Sequence, residues 1–250
     1  MKISGTHALI TGGGSGIGRA TAIAIAERGA AHLTLLDVNA AGLKETAKLV
    51  RQAGATATTI TCDVSDAAAL TRAFATAAEA APIDIVYNNA GVVSGAHLFP
   101  VAPVERVAQI FAININAVVI GTQLAVEYMA GRGGVVVNTV STAHDNVGFR
   151  DILYTTSKAA VNQFTKAAAQ IHAPTGVRVC GVSPGLVNTP ILDTTGGDRR
   201  AEWMVPILAN NLAMPPHAIA DAVVQQSEDD TAVGTIITIV SEAWFASRAA

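Results

Sequence analysis

The chain has 250 residues, half of them hydrophobic and 14% charged, which is ample material for one large buried core. A net charge of −3 and a pI near 6.0 leave no basic surface to neutralise phosphates, so nucleic acid and an anionic membrane are excluded as partners. The two cysteines, Cys62 and Cys180, lie far apart in apolar, strand-like surroundings and read as reduced core residues.

Lys2 leads toward the first apolar run without a signal region, so a soluble, cytoplasmic protein is expected. Short β-branched runs then alternate with longer alanine-rich segments. The strand candidates are His7–Thr11, His32–Leu36, Thr56–Thr61, Ile83–Tyr87, Gly134–Thr139, Val177–Val182 and Thr235–Val240. Helical patterns cover Gly16–Arg28, Ala40–Gln52, Asp66–Ala80, Pro103–Ala130, Asp151–Ala173 and Pro215–Gln226. Near-continuous apolar strands separated by helices indicate a mostly parallel sheet of about seven strands covered on both faces, in one doubly wound α/β domain. The uncharged run Val107 to Val126 is long enough to span a bilayer. Gln109, Asn114, Asn116 and Gln123 within it favour a helix buried in protein, at a subunit interface for instance.

The first strand ends in Thr11-Gly12-Gly13-Gly14-Ser15-Gly16-Ile17-Gly18, and a helix follows. Glycines permit a tight turn and close backbone approach to a pyrophosphate, while the helix N-terminus offers free N–H groups and a positive dipole end. Gly12, Ser15, Gly16, Ile17 and Gly18 are therefore candidate dinucleotide contacts. Asp37 closes the second strand 19 residues after Gly18. A carboxylate there accepts hydrogen bonds from ribose hydroxyls and repels a 2′-phosphate. No Lys or Arg occurs in Val38-Asn39-Ala40 or inside the glycine loop, which favours NAD over NADP. A helix cap is the alternative use of Asp37, although Asn39 could serve as that cap.

Asp63 and Val64 follow the third strand. Asp63 could meet an adenine amino group or cap the next helix with Ser65 and Asp66. Asn88-Asn89-Ala90-Gly91 follows the fourth strand, where small residues allow a cofactor close to the backbone and a plain turn uses the same types. Beyond the fifth strand, Ser141 precedes Tyr154-Thr-Thr-Ser-Lys158, whose ends share one helix face. An ammonium beside a phenol favours the phenolate, so Tyr154 is expected below its reference pKa of about 10 and usable as a proton donor and acceptor.

Together these residues resemble the short-chain dehydrogenase/reductase family. The likeness rests on the glycine loop, Asn88-Asn-Ala-Gly91, Asn114, Ser141, Tyr154 with Lys158, and Pro184-Gly185, in family order over nearly the whole chain. It implies a single Rossmann-type domain over residues 1–250 that binds NAD and interconverts a secondary alcohol and a ketone. By the same resemblance Tyr154 exchanges the proton, Lys158 lowers its pKa and meets the nicotinamide ribose, and Ser141 holds the substrate oxygen. Asn114 would keep a water that links Lys158 to solvent, and the backbone near Val187 and Thr189 would approach the carboxamide. The family commonly forms oligomers, so a homodimer or homotetramer is expected. Taken singly, Ser141 could only cap a turn, Asn114 could be a structural hydrogen bond, and Lys158 could be a solvated charge.

The irregular stretch 189–214 reads as a cover over the substrate, with Trp203 and Met204 as candidate apolar lining. The ending Ile239-Val-Ser-Glu-Ala-Trp-Phe-Ala-Ser-Arg248 looks like the branch containing 15-hydroxyprostaglandin dehydrogenase. Asp151 stands where that branch can place a substrate-binding glutamine, and the chain departs from it there. His97 and His144 fall in loops near the expected pocket. The six histidines show no ligand spacing, so no catalytic metal is expected. Two other readings stay open: a reductase of 3-oxoacyl thioesters, against which Asp37 argues, and a non-catalytic NAD(H)-sensing protein.

Overall fold

The computed structural model describes residues 1–146, 149–209 and 213–242. Strands β1 (His7–Thr11), β2 (His32–Asp37), β3 (Thr56–Thr61), β4 (Ile85–Asn88), β5 (Gly134–Thr139), β6 (Val177–Pro184) and β7 (Ile236–Ile239) form one sheet in the order β3-β2-β1-β4-β5-β6-β7. Every pairing is parallel. All of β1, β4 and β6 is buried, which is why these strands read as apolar runs without alternation. The edge strand β3 is threonine-rich and mostly accessible.

Alternate residues feed the two faces. Ala8, Ile10, Leu33, Leu35, Tyr87, Val135, Val137 and Val182 pack under α1 (Gly16–Glu27), α2 (Ala40–Gln52) and a late helix, residues 216–228. Leu9, Val86, Val136 and Val179 pack on the other face against α3 (Ala67–Ala80), through Leu70, Phe74 and Ala77. The order of the strands reverses at β1 and β4, so the chain leaves their carboxyl ends in opposite directions and opens a crevice there.

The predicted helix Pro103–Ala130 is one helix, Val104–Met129, with a change of winding inside it. It comprises α4 (Val104–Phe111), a π-helical turn (Ala112–Asn116) and α5 (Ala117–Met129). The π turn places Asn114, fully buried, beside the crevice. Among the described residues Val104–Met129 is the one stretch long and apolar enough to cross a membrane. It sends Ala117, Leu124, Ala125 and Met129 into the core beside α3. The helix predicted over Asp151–Ala173 is α6 (Ile152–Ala167), followed by a 3₁₀ turn (Ala168–Ile171) and the short α7 (His172–Thr175), and Gly176 ends it at φ 75°. Two 3₁₀ turns, Pro190–Thr194 and Glu202–Met204, and the short α8 (Val205–Ala209) occupy the stretch predicted as irregular, and α9 is Pro216–Glu228. Residues 210–212 of that stretch, and residues 243–248 of the branch-like ending, lie outside the described residues.

Candidate active site

The crevice is a cavity of about 650 Å³, within the range of small-molecule sites. It runs from the glycine loop and the ends of β2 and β3, past β4 and β5, to the segment after β6. Of the residues predicted for the site, Gly12, Ser15, Gly16, Ile17, Asp37, Asp63, Val64, Asn89, Ser141, Tyr154, Lys158, Val187 and Thr189 line it. Gly18 and Asn114 stand just behind its wall.

At the first end the backbone makes the site. Ser15 gives α1 no side-chain cap, so the helix's first N–H groups are left for a ligand. A Cβ on Gly18 would collide with the Gly12 carbonyl and stand 2.7 Å from Asn89 Nδ2. Asn89 was expected at the cofactor itself. It lies in the lining, and its amide also donates to the carbonyls of Thr11 (3.1 Å) and Gly12 (3.3 Å), which fixes the loop.

Asp37 accepts from the N–H of Gly14 and of Asn39, each at 2.9 Å, one on each oxygen. Each oxygen keeps a further lone pair for a ribose hydroxyl. The helix-cap alternative falls to Asn39, whose Oδ1 accepts the Gly42 N–H at 3.0 Å. The cation nearest the loop in sequence, Arg19, donates to the carbonyls of Gly14 and Gly42 and to the Thr46 hydroxyl and is not part of the lining. Asp66 caps α3 by accepting from Ala68 and Ala69 N–H. Asp63 is thereby left to a turn with Ser65 and to the cavity wall.

At the centre, Ser141 makes the turn cap that was its alternative use and also faces Tyr154. Its hydroxyl oxygen accepts the Ala143 N–H at 3.2 Å, capping a 3₁₀ turn (Thr142–Asp145), and its side chain hydrogen-bonds Tyr154. Lys158 is 3% exposed, and its ammonium donates to the Thr139 carbonyl at 2.8 Å. The ammonium lies 5.7 Å from the centre of the Tyr154 ring. The expected lowering of Tyr154 is not seen in the polypeptide's own groups, where desolvation is the largest influence. Burial pushes the phenol up to about 12, the Ser141 bond pulls it down, and the charge of Asp151 adds to the rise. Burial likewise pulls Lys158 down to about 8.

Asn114 holds the strand-like segment after β4 from both sides. Its Oδ1 accepts the Val92 N–H at 2.8 Å, while its Nδ2 donates to the Val92 carbonyl (2.9 Å) and the Ser157 hydroxyl (3.0 Å). Gly91 keeps space open here: a Cβ on it would lie 3.4 Å from Asn114 Oδ1 and 3.7 Å from Lys158 Nζ.

The far end is apolar. Phe149 sits against Tyr154 (ring centres 6.2 Å apart) and edge-on to Trp203 (5.8 Å), with Met204 and Leu192 buried beside them in the lining. Trp203 and Met204 occupy the place expected of them. Phe149 carries no sequence signal and was not anticipated. His97 and His144 line no part of the cavity, and the His144 ring turns its Nδ1 to the Ser141 carbonyl at 2.7 Å. Cys62 lines the cavity edge and Cys180 lies in the core, both unpaired. Among the described residues no three His, Cys, Asp or Glu side chains converge as a metal site would require.

Comparison with known proteins agrees with this layout. The family model described as "short chain dehydrogenase" matches residues 6–200. The cis-4-hydroxycyclohexanecarboxylate dehydrogenase of Sinomonas cyclohexanicum is 34% identical over 242 residues, which is 93% of this chain and 94% of that protein. The crystal structure of levodione reductase superposes with a TM-score of 0.85 at 28% identity, covering 95% of this chain and 96% of the other. A short-chain dehydrogenase from Burkholderia cenocepacia, solved in complex with NADP, reaches a TM-score of 0.86 at 27% identity over 97% of this chain and 99% of its own.

Proposed function

The chain belongs to the short-chain dehydrogenase family, and from that premise we propose that it is an NAD(H)-dependent oxidoreductase that interconverts a secondary alcohol and a ketone. The observation that carries the proposal is the meeting of Ser141, Tyr154 and Lys158 on the wall of one cavity whose other end is a glycine loop at a helix N-terminus. Gly12, Ser15, Gly16, Ile17 and Gly18 would hold the pyrophosphate, Asp37 the ribose, Asp63 and Val64 the adenine, and Val187 and Thr189 the carboxamide end. Asp37 and the lack of any lysine or arginine but Lys158 in the lining support NAD over NADP. When bound, the nicotinamide supplies or takes the hydride and, oxidised, carries a positive charge that favours the phenolate.

The chain's own groups handle the proton. Ser141 directs its hydroxyl at the substrate oxygen and holds it in line beside Tyr154. Tyr154 gives its proton to that oxygen in reduction and takes one in oxidation. Lys158, held by Thr139, supplies the charge that draws the tyrosine toward the anion and reaches the ribose. Asn114 fixes Val92 and, with the π turn, holds a water that returns the proton to solvent. The protein acts as a homodimer or homotetramer, a reading supported by the apolar surface at Phe99 (53% exposed), Val101 (74%) and Val104 (78%). Its unpaired cysteines fit the reducing cytoplasm. Within the family, the sequence of the ending 239–248 resembles the branch containing 15-hydroxyprostaglandin dehydrogenase, and no substrate is taken from that likeness.

The test is turnover of a panel of secondary alcohols with NAD⁺ and NADP⁺, read at the reduced-cofactor absorbance band. Turnover with NAD⁺ preferred is expected. A preference for NADP⁺ overturns the part given to Asp37, and NADH binding without turnover of any panel member favours a sensor.

A further inference from the structure

Residues 92–94 form a strap between the cavity and the rest of the protein, and three side chains from separate elements hold it. Asn114 grips both the N–H and the carbonyl of Val92. Arg106 of α4 donates to the carbonyls of Val93 (2.5 Å) and Ser94 (3.2 Å). Asp151 accepts the Ser94 N–H at 2.7 Å and the Ser94 hydroxyl at 2.5 Å. The same carboxylate caps α6 by accepting the Tyr154 N–H at 3.1 Å. Asp151 is 3% exposed and lines the cavity three residues before the proposed proton donor. Its oxygens are satisfied by hydrogen bonds and not by a counter-charge: among the described residues no cation lies within 4.0 Å of them.

Arg106, held on the carbonyls of Val93 and Ser94, and the N-terminus of α6 offset part of that charge from outside the lining, while the rest of the cavity wall around Tyr154 is uncharged apart from Lys158. Phe149, Leu192, Trp203 and Met204 are apolar, and Thr142, Thr194 and Thr195 are neutral. Arg150, Arg199 and Arg200 are exposed and outside the lining, and Arg200 is paired with Asp193 at 2.7 Å. Among the described residues Lys158 is the one lining cation, fastened to the Thr139 carbonyl. The reach of the Asp151 charge is felt at the reacting phenol, where it adds to the larger effect of burial.

Resting on the dehydrogenase reading above, we propose that Asp151 is a specificity-determining residue that restricts the site to uncharged, largely apolar alcohols and ketones and rejects those carrying a carboxylate. A substrate oxygen held between Ser141 and Tyr154 brings a nearby carboxylate on the same molecule close to Asp151. At an effective dielectric near 20, like charges about 7 Å apart repel enough to shift an equilibrium by roughly tenfold to fiftyfold. This sets the chain apart from its 34%-identical relative, whose name carries a carboxylate substrate.

The test uses matched ketones, each as the free acid and as its methyl ester, 4-oxocyclohexanecarboxylate among them, with NADH or NADPH as reductant. The wild-type enzyme is expected to favour esters over acids at least about tenfold in kcat/KM, the order of the repulsion above. Asp151→Asn, which keeps the shape and an acceptor oxygen, is expected to narrow that ratio several-fold. Should this variant fail to fold, Thr194→Lys places a cation in the same wall at an exposed position and is expected to narrow the ratio too. Acids turned over as well as esters by the wild type, or a ratio unmoved in the folded variant, overturns the inference while the dehydrogenase reading stands. Turnover of neither form of any pair overturns both.

Discussion

The two ends of the cavity are built from different materials. The glycine-loop end is mostly backbone: the glycines between 12 and 18 and bare helix N–H groups, joined by two strand-end carboxylates, all contributed by consecutive βα turns. At the substrate end, side chains from distant segments meet: Val93 after β4, Phe149 before α6, and Trp203 and Met204 after β6. Backbone recognition tolerates few residue types and leaves a mark in sequence, whereas a wall of packed apolar side chains can be made from many. Changes at the first end should act alike on every substrate, and changes at the second should act by substrate.

The largest effect belongs to the group between the two ends. Tyr154→Phe removes the proton and leaves the ring packed on Phe149, so turnover should fall roughly a thousandfold, as for loss of a general acid. NADH affinity should hardly change, which fluorescence titration measures. Retained turnover would mean that the proton comes from another group.

Gly18→Ala tests the cofactor end. Its new methyl would drive into the Gly12 carbonyl and Asn89, and overpacking of this kind costs about 2 kcal/mol. NADH affinity should drop roughly thirtyfold for all substrates alike, by the free energy just given. Trp203→Ala tests the substrate end. Losing the edge-on contact with Phe149 and the wall area should lower kcat/KM about tenfold for bulky ketones, with NADH affinity unmoved. If Trp203→Ala weakened NADH as much as ketone, the two ends would not be separable.

This division also explains what could be read before the fold was known. All seven strands, the glycine loop, Asp37 and the Tyr154–Lys158 spacing were visible because periodicity and special backbone conformations constrain residue type locally. The π-helical turn at Ala112–Asn116 was hidden, since the apolar helical pattern runs through it without a proline or glycine. The loop-holding bonds of Asn89 were hidden because an amide facing a ligand and an amide holding the loop need the same residue. The Ser94–Asp151 bond spans 57 residues, and Phe149 packs on Trp203 across a gap just as unmarked, so only the folded chain shows either. Spacing made Tyr154 and Lys158 neighbours, but how far burial moves their proton affinities depends on everything packed around them.

Lys158 lies on the seam between the two ends, and there function and stability oppose each other. Burial holds its folded pKa near 8, below its ordinary 10.5. Below pH 8 both folded and unfolded chains carry the charge, and the folded state bears the full desolvation penalty. Between pH 8 and 10.5 the unfolded chain binds more protons, so the penalty fades as pH rises through that window. Lys158→Met removes the buried ammonium and should raise Tm at pH 7 by a few degrees, the gap closing toward pH 10.5. The same change should abolish turnover, since no other described residue in the lining supplies a cation beside the tyrosine. A lower Tm at pH 7 would mean that the bond to the Thr139 carbonyl outweighs desolvation and that the lysine stabilises the fold. A higher Tm with lost turnover would place the lysine there for its charge at the reacting centre, maintained against the fold's own preference.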